Sequence, residues 1–264
     1  MAAGDLERAL DLRAESDQLW AVTADANYES ANGMFGGWTT ALLLKAVVLA
    51  DDAGATPVSI TVNFVNLLTP GSTALVETRR VGGGRSVSHW TCELRSMDGE
   101  VQAIGTVVLA SRRDTDGHVD AQMPPAPDPE TLPIVGAAPG PMGERTTLRP
   151  VEGFPPFDRD TTFSLAWVRE TSGRPIDHLQ LAFLADHRPP RSFFWSDGPR
   201  PSATLTLSVW FHATGADLAE IGDDELLSEA FGTRGSQSIS EEHLRLWSRA
   251  GDLLASSVQA DWYR

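Results

Sequence analysis

The sequence has a single cysteine, Cys92, which excludes an intramolecular disulfide framework. Cys92 lies in an alternating apolar stretch, residues 87–94, that offers neither a base nor a helix N-terminus, so we interpret it as a buried structural thiol. Residues 1–17 mix charges with isolated leucines and contain no long apolar run, so neither a secretory signal nor a membrane span is predicted there. We therefore expect a soluble, cytoplasmic protein.

Positive charge is also scarce. The chain carries 21 Lys and Arg against 36 Asp and Glu, a net charge of -15. Nucleic acids and anionic membranes bind basic surfaces, so neither is an expected partner. An anionic substrate would need a local basic patch, for which five arginines in the first half are candidates: Arg79, Arg80, Arg85, Arg112 and Arg113.

Several catalytic motifs are missing. No two histidines show a metal-ligand spacing with a nearby acid, so no metal is predicted. The chain has no Gly-x-Ser-x-Gly elbow, which argues against a serine-triad hydrolase. The glycines before Arg85 lack the lysine and the spacing of a phosphate-binding loop. No cofactor is expected.

Proline divides the chain. Ten prolines fall between residues 124 and 156, in a stretch with little apolar periodicity. Such a segment favours extended structure and is poor in helix and sheet. We therefore predict an N-terminal domain over residues 1–113, a proline-rich linker over 114–157 and a C-terminal domain over 158–264.

The same order of elements is predicted on both sides of this linker. In the first half an all-round apolar helix precedes four alternating strands: helix Gly36–Ala50, then Ser59–Val65, Thr73–Arg80, Ser86–Arg95 and Val101–Ser111. In the second half the corresponding elements are helix Ile176–Asp186, then Ala203–Phe211, Leu226–Phe231, Ser236–Trp247 and Asp252–Tyr263.

The two halves also match residue by residue. In the sequence, residues 60–64 align with 205–209. Ser88 aligns with Ser240, and the same offset aligns Gly99 with Gly251 in the turns that follow. Internal duplication is the simplest account of these matches. An apolar helix followed by four strands is best buried when an antiparallel sheet wraps around it. We therefore predict an α+β double hotdog, two antiparallel sheets each wrapping a central helix, fused in one chain.

Several segments resemble the acyl-coenzyme A thioesterase II family of double-hotdog proteins. Phe35-Gly36-Gly37 opens the first helix as the family's motif does, and Gly84-Arg85-Ser86 is similar to its turn before a hairpin. In the second half the resemblance rests on three segments: Leu181–Asp186, Ser208–His212 and Leu254–Gln259. The likeness covers most of the chain outside the N-terminal dozen residues and the linker.

This resemblance implies hydrolysis of acyl-CoA thioesters. Asp186 would be the base that activates water, and Thr233 and Gln259 would hold that water by hydrogen bonds. The predicted substrate contacts are Phe35, Gly36, Gly37 and Arg85. Acyl-CoA is the expected partner, and a homo-oligomer the expected assembly.

One complete site is expected rather than two. The apolar segment Leu179–Ala185 would surround Asp186 with low-dielectric material and raise its pKa. Asp51 is the approximate counterpart of Asp186 in the first half, but Val107 occupies the position that matches Gln259.

Two alternatives remain open at this stage. A non-catalytic acyl-CoA-binding protein would keep the acyl tunnel without activating water. A hotdog enoyl-CoA hydratase or dehydratase would use a histidine beside an acid, and His187 follows Asp186 directly.

Overall fold

A 13-stranded sheet dominates the fold, in which every strand pair is antiparallel. The computed structural model describes residues 6–136 and 140–264. Its strands are β1 Arg13–Ser16, β2 Leu19–Thr23, β3 Glu29–Ser30, β4 Gly33–Met34, β5 Thr56–Phe64, β6 Thr73–Gly83, β7 Val87–Ser96, β8 Val101–Ala110, β9 Thr146–Glu152, β10 Ser164–Glu170, β11 Ser202–Phe211, β12 Leu226–Phe231, β13 Gly235–Ser236, β14 Ile239–Trp247 and β15 Leu253–Tyr263.

Within the described residues, four short or medium α-helices accompany the sheet: α1 Leu6–Ala9, α2 Gly36–Ala50, α3 His178–Leu184 and α4 Gly215–Ile221. Single 3-10 turns occur at Ala26–Tyr28, Pro129–Thr131, Pro141–Glu144 and Arg191–Phe193. Along the sheet the strands follow the order β1-β2-β6-β7-β8-β5-β11-β15-β14-β12-β10-β9, with β13 paired to β14. Strands β3 and β4 form a separate ribbon. The predicted α+β double hotdog is thus the observed architecture.

The two halves join through β5 and β11. Val62 and Leu207 are register partners, and the neighbouring hydroxyls of Thr61 and Ser208 lie 2.9 Å apart. Val62 and Leu207 are also the matching central residues of the two repeats. Equivalent strands therefore pair with each other about an approximate twofold axis, and the sheet continues from one half into the other without an open edge between them.

Helix α2 is the central helix of the first half, over the range predicted from the sequence. Apolar residues occupy nearly every face of it, and ten of its 15 residues are buried. It packs against β5, β6, β7 and β8 on one side and against α3 on the other. The core is accordingly continuous between the halves, with Leu42 and Phe183 fully buried in it.

Helix α3 is shorter than the predicted span of 176–186. It begins after Asp177, whose carboxylate accepts a hydrogen bond from the Gln180 N–H at 2.9 Å. Arg174 holds the same carboxylate in an ion pair of 2.8 Å. The helix ends at Leu184, so Asp186 lies in the turn that follows it.

The predicted strand 236–247 is wrong at its start. Gln237 and Ser238 have φ values of 53° and 65°, a left-handed pair that turns the chain between β13 and β14. Strand β10 was not predicted, because its residues do not alternate. Leu165 through Val168 are all buried, since both faces of β10 are covered.

The segment 114–157, expected to be poor in regular structure, contains strand β9. Its earlier residues form a cover for the sheet rather than a free spacer. The Trp167 indole N–H donates to the carbonyl of Pro127 at 2.9 Å, and Met123 packs on the apolar cluster around Trp247. This cover buries the second face of β10, which the sequence pattern did not reveal. Residues 137–139 of the predicted linker lie outside the described residues.

Candidate active site

Asp186 is held at the end of α3, inside the molecule. The backbone N–H of Ala185 closes the helix by donating to the carbonyl of Leu181 at 3.0 Å. The carbonyl of Ala185 in turn accepts from the Ser257 hydroxyl on β15 at 3.3 Å. These two contacts anchor the turn to the sheet, and they leave Asp186 only 8% exposed.

The Asp186 carboxylate faces the N-terminus of α2, which belongs to the other half. The Gly37 N–H donates a hydrogen bond to it. A Cβ at Gly36 would lie 2.6 Å from Asp186 Oδ2, and a Cβ at Gly37 would lie 2.3 Å from the Phe183 carbonyl oxygen. Both glycines are therefore required for close approach, of the carboxylate in one case and of α3 in the other. This supplies a physical reason for the pair of glycines in the motif.

The surroundings of Asp186 make its carboxylate a strong base. Burial raises its pKa well above the usual value, and the negative charges of Asp261 and Glu242 raise it further. The hydrogen bond from Gly37 acts in the opposite direction. Helix N-termini carry partial positive charge, so the N-terminus of α2 favours the ionised form of the Asp186 carboxylate.

Gln259 lies on β15, on the same side of the sheet. Its side chain is 4% exposed, and its Nε2 lies 3.5 Å from Asp261 Oδ2. Its Oε1 is buried without a hydrogen-bond partner. The amide oxygen is therefore available to a small polar molecule in the site.

Two further polar residues complete this region, and the sequence analysis missed both. Asp261 lies two residues after Gln259, so both side chains point to the same face of β15. Thr204 on β11 is the register partner of Asp261, and its hydroxyl donates a hydrogen bond to the Asp261 carboxylate. The two-residue spacing of Gln259 and Asp261 was a usable signal, whereas the position of Thr204 follows only from the pairing of β11 with β15.

Thr233 is placed elsewhere. It lies in the exposed loop between β12 and β13, and its backbone N–H donates to Glu241 Oε1 at 2.6 Å. Glu241 is adjacent to Glu242 on β14, so their side chains point to opposite faces of the sheet. Glu242 is buried in an ion pair with Arg191, and Gly232, the residue before Thr233, lies against the Arg191 side chain. No hydrogen bond joins Thr233 to Asp186 or Gln259 among the described residues.

Of the predicted substrate contacts, Phe35 lies near Asp186, as Gly36 and Gly37 do, whereas Arg85 lies in an exposed turn. Phe35 is 5% exposed, and its ring packs edge-on against Phe183 with centroids 5.2 Å apart. It therefore lies in the contact between α2 and α3, beside the glycines. Arg85 is exposed in the turn between β6 and β7, and no hydrogen bond or ion pair links it to Asp186 among the described residues.

Buried charges surround the site on the side of β14. Arg191 and Glu242 form an ion pair of 2.5 Å in which both side chains are at most 1% exposed. Arg188 is also buried, and desolvation lowers its pKa to about 9. His187 is buried and neutral, because desolvation followed by the charge of Arg188 lowers its pKa to about 3.

Cys92 takes no part in this region. It is 2% exposed, and burial raises the pKa of its thiol to about 12, so it stays protonated. Within residues 6–136 and 140–264, no group of three His, Cys, Asp or Glu side chains could hold a metal ion. In the same part of the chain, no helix is long and apolar enough to cross a bilayer.

Comparison with protein families gives two matches. Residues 24–110 match the acyl-CoA thioesterase N-terminal domain, and residues 120–260 match the acyl-CoA thioesterase C-terminal domain. A search of curated proteins found no significant match.

Several solved structures are similar to this chain over nearly its whole length. A hotdog-fold protein of unknown function from Alicyclobacillus acidocaldarius is 30% identical, with a TM-score of 0.93 over 98% of this chain and 97% of that one. A putative thioesterase II from Thermobifida fusca has 20% identity and a TM-score of 0.85 over 98% and 97% of the two chains. An acyl-CoA thioesterase II from Mycobacterium marinum has 19% identity and a TM-score of 0.79 over 98% of each chain. The last two support the fold alone.

Proposed function

The chain belongs to the acyl-CoA thioesterase family, and from this premise we propose that it hydrolyses acyl-CoA thioesters at the site around Asp186. The observation that carries the proposal is the position of Asp186 at the N-terminus of α2, buried and held by the Gly37 N–H. A buried carboxylate of raised pKa, fixed at a helix N-terminus, is suited to removing a proton from water.

In the proposed reaction the Asp186 carboxylate accepts a proton from water while the water oxygen bonds to the thioester carbonyl carbon. Gln259 Oε1, buried and unpaired, accepts a hydrogen bond from the second O–H of that water. The carbonyl oxygen becomes negative, and the partial positive charge of the α2 N-terminus stabilises it. The C–S bond then breaks, the thiolate takes the proton from Asp186, and the products are the free acid and coenzyme A.

The choice of threonine is part of this proposal. Thr204 donates to Asp261, which Gln259 also contacts, whereas Thr233 lies in an exposed loop and makes no hydrogen bond to Asp186 or Gln259 among the described residues. We therefore assign to Thr204 the supporting role that the sequence analysis gave to Thr233. We also propose that the protein works in the cytoplasm.

The test is release of free thiol from short, medium, long and aromatic acyl-CoA esters, with wild type and Asp186→Asn measured side by side. Turnover by wild type that falls about 100-fold or more in the variant supports the reaction and its base. Retained turnover in a folded Asp186→Asn variant would remove the mechanism. Tight acyl-CoA binding without thiol release by wild type would instead identify an acyl-CoA-binding protein.

One observation favours a second candidate, an enoyl-CoA hydratase. His187 Nδ1 contacts the Leu184 carbonyl, which can only accept, so Nδ1 carries the proton and Nε2 is unprotonated and able to accept a hydrogen bond. That Nε2 is buried without a partner. Hydration of an enoyl-CoA without thiol release, lost in His187→Gln, would decide for this reaction.

A further inference from the structure

Three polar side chains meet between β11 and β15, and the most deeply buried of them is Asp261. It is 1% exposed, less than either Asp186 or Gln259. Its carboxylate accepts hydrogen bonds from the Thr204 hydroxyl and from Gln259 Nε2. A carboxylate so deeply buried is costly, and it requires an explanation beyond packing.

The chemistry of the three groups fixes their orientation. An ionised carboxylate can only accept hydrogen bonds, so the amide nitrogen of Gln259 must face Asp261. The amide oxygen then points away from Asp261, and it is the atom that is buried without a partner. The Thr204 proton is engaged by Asp261 as well, which leaves the threonine oxygen able only to accept.

We propose that Asp261 is a positioning residue, whose carboxylate orients Gln259 and Thr204 so that Gln259 Oε1 receives a hydrogen bond from the nucleophilic water. This inference rests on the proposed function, and it adds a residue that acts through Gln259 rather than on the substrate. Protonated Asp261 could donate to Oε1 and turn the amide over, which would present Nε2 to the water and remove the acceptor.

The charge of Asp261 is influenced by groups on four neighbouring segments. Burial first, and then the Glu242 carboxylate on β14, raise its pKa, which lies at about 7. The hydrogen bonds from Thr204 and Gln259, and the positive charge of Arg191, act in the opposite direction. The Asp186 carboxylate, beyond the end of α3, interacts with the same charge. Asp261 is therefore neutral in acid and becomes a carboxylate as the pH rises through about 7.

The first test does not depend on turnover. The side-chain amide protons of Gln259, assigned with Gln259→Ala, are followed by ¹⁵N NMR from pH 5 to 9 in wild type and in Asp261→Asn. We expect one amide proton of wild type to move downfield with a midpoint near pH 7, and this step to be missing in Asp261→Asn. The control is Asp252→Asn, since Asp252 precedes β15 and its carboxylate contacts Ser248 at 3.0 Å.

A Gln259 amide that does not titrate in wild type, or that titrates equally in Asp261→Asn, would overturn the inference. If Asp261→Asn fails to fold, the titration of wild type still decides, because a downfield shift on deprotonation requires the Gln259 N–H to donate to the titrating carboxylate.

The second test is a double-mutant cycle of kcat with Asp261→Asn, Gln259→Ala and the double variant. A residue that acts mainly through Gln259 has a smaller effect once Gln259 is gone, so we expect Asp261→Asn to lower kcat about tenfold in the wild-type background and by a clearly smaller factor in Gln259→Ala, both measured at a pH above the rise of the profile. Additive losses would contradict the inference. KM is expected to stay constant, because Asp261 does not touch the substrate.

The pH profile separates positioning from a structural effect. Asp261→Asn removes a negative charge that raises the pKa of Asp186, so the rise of kcat/KM with pH should move to lower pH. An unmoved profile would contradict the arrangement. If wild type hydrolyses no ester while the amide titration behaves as expected, the proposed reaction fails and the role of Asp261 in orienting Gln259 stands.

Discussion

The two halves have the same elements, but they bury different side chains at matching positions. The offset that superimposes Ser88 on Ser240 places three apolar residues of the first half on three polar residues of the second: Trp90 on Glu242, Val107 on Gln259, and Leu109 on Asp261. Ser88 donates to Asp51 and accepts from the Trp90 indole, whereas the Ser240 hydroxyl is buried without a partner. At these matching positions the first half therefore has apolar side chains and a hydrogen-bonded serine, whereas the second half has polar side chains, some of whose atoms are buried without a partner.

The two helices differ in a complementary way. Helix α3 begins with Asp177, whose carboxylate caps its own backbone. Helix α2 begins with Phe35, which has no capping side chain, and its first turn accepts the carboxylate of Asp186 from the other half. Of these two helices, α2 alone therefore has an N-terminus that is open to a carboxylate from the other half, which agrees with a single site. Buried polar groups that are left unpaired cost stability, and such costs are typical of functional sites.

The difference between the two halves is tested most directly by replacing the matching aspartates, Asp186 and Asp51, one at a time. Asp186→Asn should lower hydrolysis about 100-fold or more, because the base is lost while the shape is kept. Asp51→Asn should leave hydrolysis unchanged, since Asp51 only accepts local hydrogen bonds from Ala55 and Ser88. Steady-state thiol release with circular dichroism of both variants checks this. Equal losses in the two variants would mean that both halves are catalytic.

Close packing of the halves can be tested at Gly37. A Cβ there would meet the Phe183 carbonyl oxygen at 2.3 Å, so Gly37→Ala should lower the free energy of unfolding by about 1–3 kcal/mol. The matched control is Gly82→Ala, where an added Cβ has no neighbour within 4 Å. Urea denaturation measures both. An unchanged midpoint in Gly37→Ala would show that α3 can move away from α2 at little cost.

Replacing Thr204 and Thr233 separately tests which threonine belongs to the site. Thr204→Val removes the hydroxyl that donates to Asp261 and should lower kcat about tenfold, the value expected for one hydrogen bond to a charged group. Thr233→Val should have no effect on kcat, because its hydroxyl lies on an exposed loop. Thiol release by the two purified variants decides between them. A loss confined to Thr233→Val would restore the assignment made from the sequence.

The last comparison concerns stability as a function of pH. The pKa of Asp261 is about 7 in the folded state and 3.8 without the fold, so folded protein binds more protons between these values. Its contribution to the free energy of unfolding is greatest below about pH 4 and is lost as the pH rises through about 7. Asp261→Asn cannot ionise, so the variant should gain stability relative to wild type between pH 5 and 8. Thermal unfolding at both pH values measures this, and a constant difference would contradict the raised pKa.

Local patterns predicted much of this molecule. The all-round apolar run of α2 gave a helix with the observed bounds, and the alternating stretches gave β5, β7, β11 and β15 to within a few residues. Asp186 and Gln259 were identified from a family resemblance, and the structure buries both in one region. The covered strand β10 escaped detection, because a strand buried on both faces has no alternation to recognise.

The sequence by itself determined the duplicated order of elements, since hydrophobic periodicity is a local property of the chain. The tertiary structure decided which polar residues share a site. Thr204 reaches Asp261 only because β11 pairs with β15, and Asp186 reaches Gly37 only because α3 crosses from one half to the N-terminus of α2. Thr233 lies in the exposed loop after β12, where its backbone N–H binds Glu241. Such contacts depend on strand register and helix packing between distant segments, and no local pattern in the chain encodes them.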